Sequence, residues 1–505
     1  MTAAQAELAG LLGAEHVLAD AIPPGYLHDG TVARGLRARP DLVVRPGSAD
    51  EVAGVMAICY RHSLPLIPRG GGSGLAGGAV AVGGGVVCSL ERLARVREFT
   101  PELWRMHAEA GVTTARIRRL ARENGLLFPP DPGAGEQSQI GGNVATNAGG
   151  PHTLKYGVTG AWVAGVEAVL APGELVEIGG WVGKDVAGYD LRSLLVGSEG
   201  TLGVITAARL RLLPAPESAA ALLVFLADRA QGCAALLDVL AAGIQPSALD
   251  FLDGATLALV AGGYPGGVPA RGVSAQGAPA GGMSAQGAPA GSVSVQHVPA
   301  GAGFALLIEV DGARAHVQAQ CRELLEVVDT RATIAVHAPA ASHPDPAHAR
   351  ADPGAGAAAW WRWRDGYNGT VTAARGGKVS EDVSFPVERL AEGLQRFAEI
   401  AGRHGLESCA WGHGGEGNVH ATVLVDPADN RELDAAHAVG EELFALVGSL
   451  GGSIAAEHGV GWLKRGRLVS QWDARAVELH EQIKREFDPK NLLNPGKKLG
   501  RPPGL

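Results

Sequence analysis

Paired cysteines, long apolar runs and blocks of basic residues are all missing from this sequence. The five cysteines stand far apart, and none belongs to a CxxC pair or an iron–sulfur spacing. A cytoplasmic chain with free thiols is therefore favoured over a secreted, disulfide-stabilised one. No apolar run approaches the ~18 residues that a membrane-spanning helix needs.

Charge and composition narrow the class of protein further. The stretch MTAAQAELAGLLGAEHVLAD carries acidic residues and no basic start, so we do not expect a secretion signal. A net charge of −9 without a long basic segment argues against nucleic acid or anionic lipid as the main partner. With 46% hydrophobic and 19% charged residues, the 505-residue chain is typical of a soluble globular protein of two or three domains.

Helical and strand patterns alternate along the chain. Residues 1–20 predict a helix, and residues 40–72 predict a strand, a helix and a second strand. Ser48 and Glu51 form a capping-box pattern at the start of that second helix. Two prolines in PAPESAAALLVFL (214–226) indicate a domain boundary before a new strand.

A ten-residue repeat interrupts the second half of the chain. Residues 271–300 read RGVSAQGAPA, GGMSAQGAPA and GSVSVQHVPA. The repeat lacks bulky apolar side chains, so it cannot bury enough surface to offset the entropy of ordering. We expect a disordered insertion in a loop rather than a solenoid.

Glycine is concentrated in three stretches of the first half. PRGGGSGLAGG (68–78) contains GxGxxG after a strand, but no helix follows directly and no Gly-Lys-Ser/Thr closes it, which excludes simple Rossmann and P-loop interpretations. A concavity of backbone N–H groups for a pyrophosphate and a tight turn remain as alternatives. Similar small-residue stretches at 129–157 and 196–206 favour a long cofactor.

Histidine is concentrated near WGHGGEGNVH (411–420). Two predicted strands, joined by GGEG, form a hairpin that can bring His413 and His420 to one point, which is the usual start of a divalent metal site. Glu457, beside His458, offers a third ligand. The alternative is that these histidines are hydrogen-bonded structural residues.

Several motifs together resemble a known family of flavoproteins. RPGSADEV, PRGGGSGLAGG, IGGNVATNAGG, YGVTG and GSEGTLGVIT look like the FAD-binding domain of the vanillyl-alcohol-oxidase/PCMH superfamily. GHGGEGNVH, EHGVG and NPGK resemble the branch that contains D-lactate dehydrogenase, the glycolate oxidase GlcD-type subunit and D-2-hydroxyglutarate dehydrogenase. The resemblance covers about residues 25–500 apart from the repeat.

The resemblance implies an α+β fold. A two-subdomain PCMH-type FAD-binding domain is followed by an α+β cap domain with an antiparallel sheet, and a C-terminal segment returns to the flavin. The implied boundaries are an N-terminal helix at 1–24, the FAD-binding domain at 25–215, the cap at 216–465 with the insertion at 265–302, and the C-terminal segment at 466–505.

The family also implies the residues that contact FAD. Many members attach FAD covalently through a histidine after the loop glycines, and because Ser73 stands there we expect non-covalent FAD. The implied cofactor-binding residues are Arg69, Gly70, Gly71, Gly72, Ser73, Gly74, Leu75, Gly78, Asp131, Pro132, Ile140, Gly141, Gly142, Asn143, Thr146, Asn147, Gly203, Ile205 and Asn494.

For the substrate side, the resemblance implies a metal site and two catalytic residues. His413, His420 and Glu457 correspond to ligands of a divalent metal (Zn or Mn), and His458 to the catalytic base. Arg364, which follows a tryptophan, corresponds to the arginine that holds the substrate carboxylate, and the alternative is a surface arginine on a solvated helix. Ser380 stands where the hydroxyglutarate branch has a lysine, which favours a lactate- or glycolate-like substrate.

The expected activity is FAD-dependent oxidation of a small D-2-hydroxy acid to the 2-oxo acid, with hydride passing to flavin N5. Alternatives are a subunit of a multi-subunit glycolate oxidase with little activity alone, a D-2-hydroxyglutarate dehydrogenase, and a metal-dependent hydrolase without flavin. The expected acceptor is an electron-transfer flavoprotein, a quinone or an iron–sulfur subunit. We also expect a homodimer. The expected location is cytoplasmic, at the periphery of the inner membrane where the electron acceptor lies there.

Overall fold

A computed structural model describes residues 2–266, 268–269, 297–331, 333–338, 357–468 and 471–499. Residues 270–296 of the predicted insertion lie outside these ranges. The chain divides into two compact units. Unit 1 comprises residues 1–152, 156–215 and 454–505, and unit 2 comprises residues 153–155 and 216–453.

The α-helices are numbered in chain order. They are α1 (Thr2–Leu12), α2 (Ala49–Arg61), α3 (Thr114–Glu123), α4 (Ile140–Thr146), α5 (Thr153–Tyr156), α6 (Leu191–Leu195), α7 (Arg229–Ala241), α8 (Gly254–Val260), α9 (Arg314–Asp329), α10 (Ala358–Asp365), α11 (Tyr367–Arg375), α12 (Leu390–Arg403), α13 (Asn430–Ser449) and α14 (Ala474–Phe487).

The strands are numbered in the same way. They are β1 (Val17–Leu18), β2 (Leu42–Val44), β3 (Leu66–Arg69), β4 (Val86–Ser89), β5 (Val96–Thr100), β6 (Arg105–Glu109), β7 (Leu126–Leu127), β8 (Val163–Leu170), β9 (Glu174–Gly179), β10 (Val204–Arg211), β11 (Leu213–Pro214), β12 (Ser218–Leu226), β13 (Ala248–Asp253), β14 (Val268–Pro269), β15 (Phe304–Gly312), β16 (Thr333–Ala338), β17 (Gly377–Ser384), β18 (Ser408–His413) and β19 (Asn418–Val425).

The N-terminal helix is shorter than the sequence predicts. It ends at Leu12, because Gly13 adopts φ +88°, a left-handed conformation that ends a helix readily. A short 3-10 turn and strand β1 follow, so the expectation of one helix over residues 1–20 is wrong beyond Leu12. The predicted cap of α2 is present: Ser48 Oγ accepts from the Glu51 N–H at 3.1 Å. The Glu51 carboxylate accepts from Gly47 N, one residue before the predicted partner.

Unit 1 contains two main sheets with separate cores. The first has the order β1-β2-β4-β3, in which β2, β4 and β3 are parallel. It packs its apolar face against α1 and α2. The second is an antiparallel sheet of order β5-β6-β10-β8-β9, whose core includes residues of α3 and α4. Unit 1 therefore has two α+β halves.

Unit 2 is built on one antiparallel sheet of order β14-β16-β12-β15-β13-β18-β19-β17. Its core includes Trp360, Trp363 and Tyr367, which come from α10 and α11. The adjacency of β13, β18, β19 and β17 is the feature that matters for function, because it gathers polar side chains from distant parts of the sequence. No helix in the described ranges is both long and apolar enough to cross a membrane.

Candidate functional site

The predicted histidine hairpin is formed by β18 and β19. Antiparallel pairing places Trp411 opposite His420, and the rings of His413 and His420 have centroids 5.9 Å apart. The turn between the strands requires glycine at position 417. Gly417 has φ +71°, and a Cβ there would lie 1.9 Å from the Phe385 carbonyl oxygen. The sequence thus brings the two imidazoles together as predicted.

A buried carboxylate and an arginine fix His413. Asp250 on β13 lies opposite His413, and His413 Nδ1 donates to Asp250 Oδ1 at 2.7 Å. Arg364 Nε donates to Asp250 Oδ2 at 2.8 Å, and its Nη2 lies 3.4 Å from His413 Nε2. Burial opposes ionisation of Asp250, but the charges and hydrogen bonds of His413 and Arg364 hold its pKa below the ordinary value. Asp250 is not among the site residues predicted from the sequence.

A second carboxylate accompanies His420. Asp382 on β17 is opposite His420, with 4.0 Å between Asp382 Oδ1 and His420 Nδ1. Asn418 Nδ2 donates to the same carboxylate oxygen at 2.8 Å. Asp382 is buried, and a carboxylate beside an imidazole is a common arrangement at metal sites. Asp382 is not among the predicted site residues, although its segment SEDVSFP (380–386) resembles the acidic-Asp-Val-x-x-Pro strand of the family.

Glu457 and His458, the remaining predicted ligand and base, lie in unit 1. Their side chains approach each other, with 3.5 Å between Glu457 Oε1 and His458 Nε2. The segment that carries them is held to the glycine loop. Trp462 N and Leu463 N donate to the carbonyl oxygen of Ala76 at 2.8 and 3.1 Å.

The loop at 68–78 follows β3 and depends on glycine for its shape. A Cβ on Gly71 would lie 1.9 Å from the Gln137 carbonyl oxygen. Gly72 has φ +67°, and its Cβ position is 1.9 Å from Nη2 of Arg69. Arg69 itself turns inward, where Nη2 donates to Gly25 O at 2.7 Å and burial lowers its pKa. The Arg69 guanidinium therefore helps to shape the loop by binding a backbone carbonyl oxygen.

Open space and unsatisfied polar atoms beside this loop fit a cofactor. A Cβ on Gly74, Gly78 or Gly142 would meet nothing within 4 Å. Gln139 Oε1, which lies 3.5 Å from the Cβ position of Gly70, is buried without a hydrogen-bond partner among the described residues, and Ser198 Oγ is in the same condition. Such atoms require a ligand or water to satisfy them. Gln139 Oε1 needs a donor, whereas Ser198 Oγ can donate or accept, so the residues present fit a group that carries both donors and acceptors, such as a dinucleotide.

The other predicted flavin residues fall into two groups. Ile140 and Ile205 belong to the apolar core. Asn143 is also buried and donates to Thr114 Oγ1 at 2.5 Å. The rest lie on α4, on the loops around it or just before β10: Asp131, which pairs with His152, and Pro132, Gly141, Thr146, Asn147 and Gly203, with Leu75 exposed on the glycine loop.

The C-terminal segment returns to the glycine loop within unit 1. Asn494 Nδ2 donates to the carbonyl oxygens of Gly78 and Glu199 at 3.0 and 2.8 Å. Lys497 Nζ also donates to Gly78 O, at 2.8 Å, and burial lowers the pKa of this lysine to about 7. Asn494 thus holds the glycine loop through contacts with backbone, and its role in binding FAD stays a prediction.

Comparisons with known proteins agree with this architecture. Residues 215–498 match the family described as FAD linked oxidases, C-terminal domain, and residues 40–179 match an FAD binding domain. The glycolate oxidase subunit GlcD of Bacillus subtilis is 32% identical over 476 residues, which cover 94% of this chain and 92% of that protein. A D-lactate dehydrogenase of Archaeoglobus fulgidus is 32% identical over 458 residues, 90% of each chain.

Solved structures show the same fold. A 4-ethylphenol oxidase from Gulosibacter chungangensis superposes with a TM-score of 0.75 at 20% identity, covering 99% of this chain and 97% of that one. For p-cresol methylhydroxylase the TM-score is 0.73 at 19% identity, with the same coverage. At these identities the likeness concerns the fold alone. The matches confirm the predicted PCMH-type fold and FAD-dependent oxidoreductase class.

Proposed function

The chain belongs to the FAD-linked oxidases, and on that premise we propose that it oxidises a small D-2-hydroxy acid, lactate- or glycolate-like, to the 2-oxo acid. FAD-linked oxidation of a hydroxy acid is supported by relatives named glycolate oxidase subunit GlcD and D-lactate dehydrogenase. The observation that carries the substrate proposal is the contact of Arg364 with Asp250 and His413, which sets a guanidinium beside an imidazole.

Arg364 has the role of binding the substrate carboxylate. A guanidinium binds carboxylate through two parallel N–H donors, and this geometry fixes the orientation of the acid. Asp250 accepts from Nε and so limits the rotation of the guanidinium. With the carboxylate held, the hydroxyl and the α-hydrogen of the acid have defined directions.

His458 is the proposed base for the hydroxyl proton, and Glu457 Oε1 lies 3.5 Å from its Nε2. FAD, bound non-covalently, supplies the hydride acceptor when present. The residues that would hold it are those of the glycine loop, the α4 region and Asn494. The reduced flavin needs an external acceptor, because the sequence has no iron–sulfur spacing of its own.

We also propose a divalent metal, Zn or Mn, with His413, His420 and Glu457 as ligands. The donor set in unit 2 is suitable, because imidazole nitrogen and the nearby Asp382 carboxylate are ligands that such ions accept. Because the Arg364 cation lies close to His413 Nε2, we expect His413 to be the weakest of the three ligands and Asp382 to assist His420 in holding the ion. A bound ion would supply Lewis-acid polarisation of the hydroxyl.

An anaerobic titration tests the activity. The purified yellow protein is mixed with D- and L-lactate, glycolate and D-2-hydroxyglutarate, and the flavin absorbance band is followed. We expect bleaching by D-lactate or glycolate, and a colourless protein would instead support a hydrolase. Bleaching by none of them would favour the alternative of an oxidase subunit with little activity alone; the relative from Bacillus subtilis is named as a glycolate oxidase subunit.

A further inference from the structure

The carboxylate of Glu199 binds the backbone of the EHGVG segment (457–461) within unit 1. Glu199 follows α6 in the GSEGTLGVIT stretch, is 7% exposed and has φ +55°. Its Oε1 accepts from Val460 N at 3.0 Å, and its Oε2 accepts from Gly461 N at 2.7 Å. Two consecutive amides therefore share one carboxylate, two and three residues after His458.

Positive φ angles and close neighbours on two sides explain both glycines of the segment. Gly459 has φ +81°, and a Cβ there would lie 3.1 Å from the Glu199 carboxyl group. Gly461 has φ +51°, and its Cβ would lie 2.2 Å from the carbonyl oxygen of Ala76. Only a chain without side chains at these positions can pass between the carboxylate and the glycine loop.

Glu199 is itself fixed from the C-terminal side. Lys498 Nζ lies 3.2 Å from Glu199 Oε1 and donates to Gly197 O at 2.8 Å. Asn494 donates to the carbonyl oxygen of Glu199 and to that of Gly78. Glu199 thus contacts both the C-terminal return and the EHGVG segment, and Asn494 connects it to the glycine loop.

We propose that Glu199 is a positioning residue, which holds His458 in the orientation needed for proton transfer. This proposal rests on the proposed function, in which His458 is the base. A carboxylate that accepts two amide hydrogens makes stronger bonds than a neutral acceptor, and its removal leaves both amides unsatisfied. The segment should then move while the rest of unit 1 keeps its structure.

The experiment compares Glu199→Gln and Glu199→Ala with Glu109→Gln and Glu109→Ala. Glu109 is a matched control, because its buried carboxylate also lies in unit 1 but accepts from Arg95 and Arg97. Amide hydrogen exchange is measured at Val460 and Gly461, together with FAD affinity and the anaerobic rate of flavin reduction. For Glu199→Ala we expect exchange at least about 10-fold faster, FAD affinity within about 3-fold, and flavin reduction about 10- to 100-fold slower. Glu199→Gln, which keeps one acceptor, should lie between it and the wild type.

A second pair of variants approaches the contact from the other side. Gly459→Ala places a methyl group against the Glu199 carboxyl, whereas Gly35→Ala carries similar strain at φ +76° with nothing within 4 Å. Only the former should slow flavin reduction while FAD stays bound. This comparison decides the proposal if Glu199→Ala does not fold.

Equal exchange at Val460 and Gly461 in the Glu199 and Glu109 variants would overturn the positioning role, as would equal loss of flavin reduction in both. If no 2-hydroxy acid reduces the flavin of the wild type, the proposed oxidation is wrong. The exchange comparison does not depend on turnover, so it still decides whether Glu199 holds the segment.

Discussion

Asp250 and His413 face each other across neighbouring strands, and their side chains form a 2.7 Å hydrogen bond in the core of unit 2. The carboxylate fixes the tautomer of the imidazole, because Nδ1 must carry the hydrogen that Asp250 accepts. The same carboxylate holds Arg364. Removing its charge should therefore disturb two proposed functional residues at once.

Asp250→Asn should lower the rate of flavin reduction by about 10- to 100-fold, with FAD still bound. Stopped-flow absorbance with D-lactate or glycolate measures the rate. Asp253→Asn on the same strand is the control. Burial raises the pKa of Asp253, and its Oδ1 caps α8 through Thr256 N, a contact that an amide oxygen preserves. An equal loss in both variants would mean that the effect is only structural.

Arg364→Lys should raise the KM for the 2-hydroxy acid by at least about 10-fold, because an ammonium cannot replace the planar pair of donors. Arg362→Lys, an exposed position on the same helix, should leave KM unchanged. Steady-state kinetics with a dye acceptor measure both. A KM shift of the same size in the Arg362 variant would remove Arg364 from carboxylate binding.

His420→Ala and Asp382→Asn should each lose bound metal while retaining FAD. Metal content per flavin, measured by inductively coupled plasma mass spectrometry, is expected to fall about 10-fold or more at limiting metal. His404→Ala is the control, since His404 pairs with Glu442 on the surface of α12 and α13. Full metal occupancy in both site variants would show that these residues have structural roles.

The strands that carry the histidines could be predicted from local sequence patterns, whereas the carboxylates that contact the site residues could not. Alternation in ESCAWGH and NVHATVLVD predicts the β18–β19 hairpin, and the structure confirms it. Asp250 and Glu199 contact residues 163 and 261 positions away, respectively. Such contacts depend on the order of strands in a sheet and on the return of the C-terminus, which no local period reveals.

Some of the missed residues nevertheless left a signal. Asp382 lies in SEDVSFP, which resembles a strand motif of the family, but its pairing with His420 depends on the position of that strand in the sheet. Glu199 stands between Ser198 and Gly200 in a stretch already assigned to the flavin, and its φ of +55° shows a tight turn. The predicted length of the N-terminal helix is wrong because a local pattern misled. Apolar periodicity continues past Gly13, but the backbone turns at this residue.

Gly74→Ala and Gly142→Ala test the cofactor cradle. Both glycines have open space where a Cβ would stand, and neither has positive φ, so the melting temperature of the apo protein should not fall. If FAD passes close to this backbone, the affinity for FAD should fall by about 10-fold or more, because the added methyl group would keep the pyrophosphate away from the backbone. Gly83→Ala, equally open, is the control. Unchanged FAD affinity in both cradle variants would place the cofactor elsewhere.

Lys497 gives a prediction for stability against pH. Burial lowers its pKa from the ordinary 10.5 to about 7, so folding favours the neutral amine. Its contribution is therefore fully present above pH 10.5 and is lost as pH falls from there towards 7. Urea unfolding of the apo protein should show the free energy of unfolding rising with pH over this window by on the order of a few kcal/mol. Lys497→Met should flatten this rise. Lys490→Met is the control: it removes an exposed lysine and leaves Lys497 in place, so the rise should be retained. Parallel curves for the wild type and Lys497→Met would show that the ammonium is charged and accommodated at neutral pH.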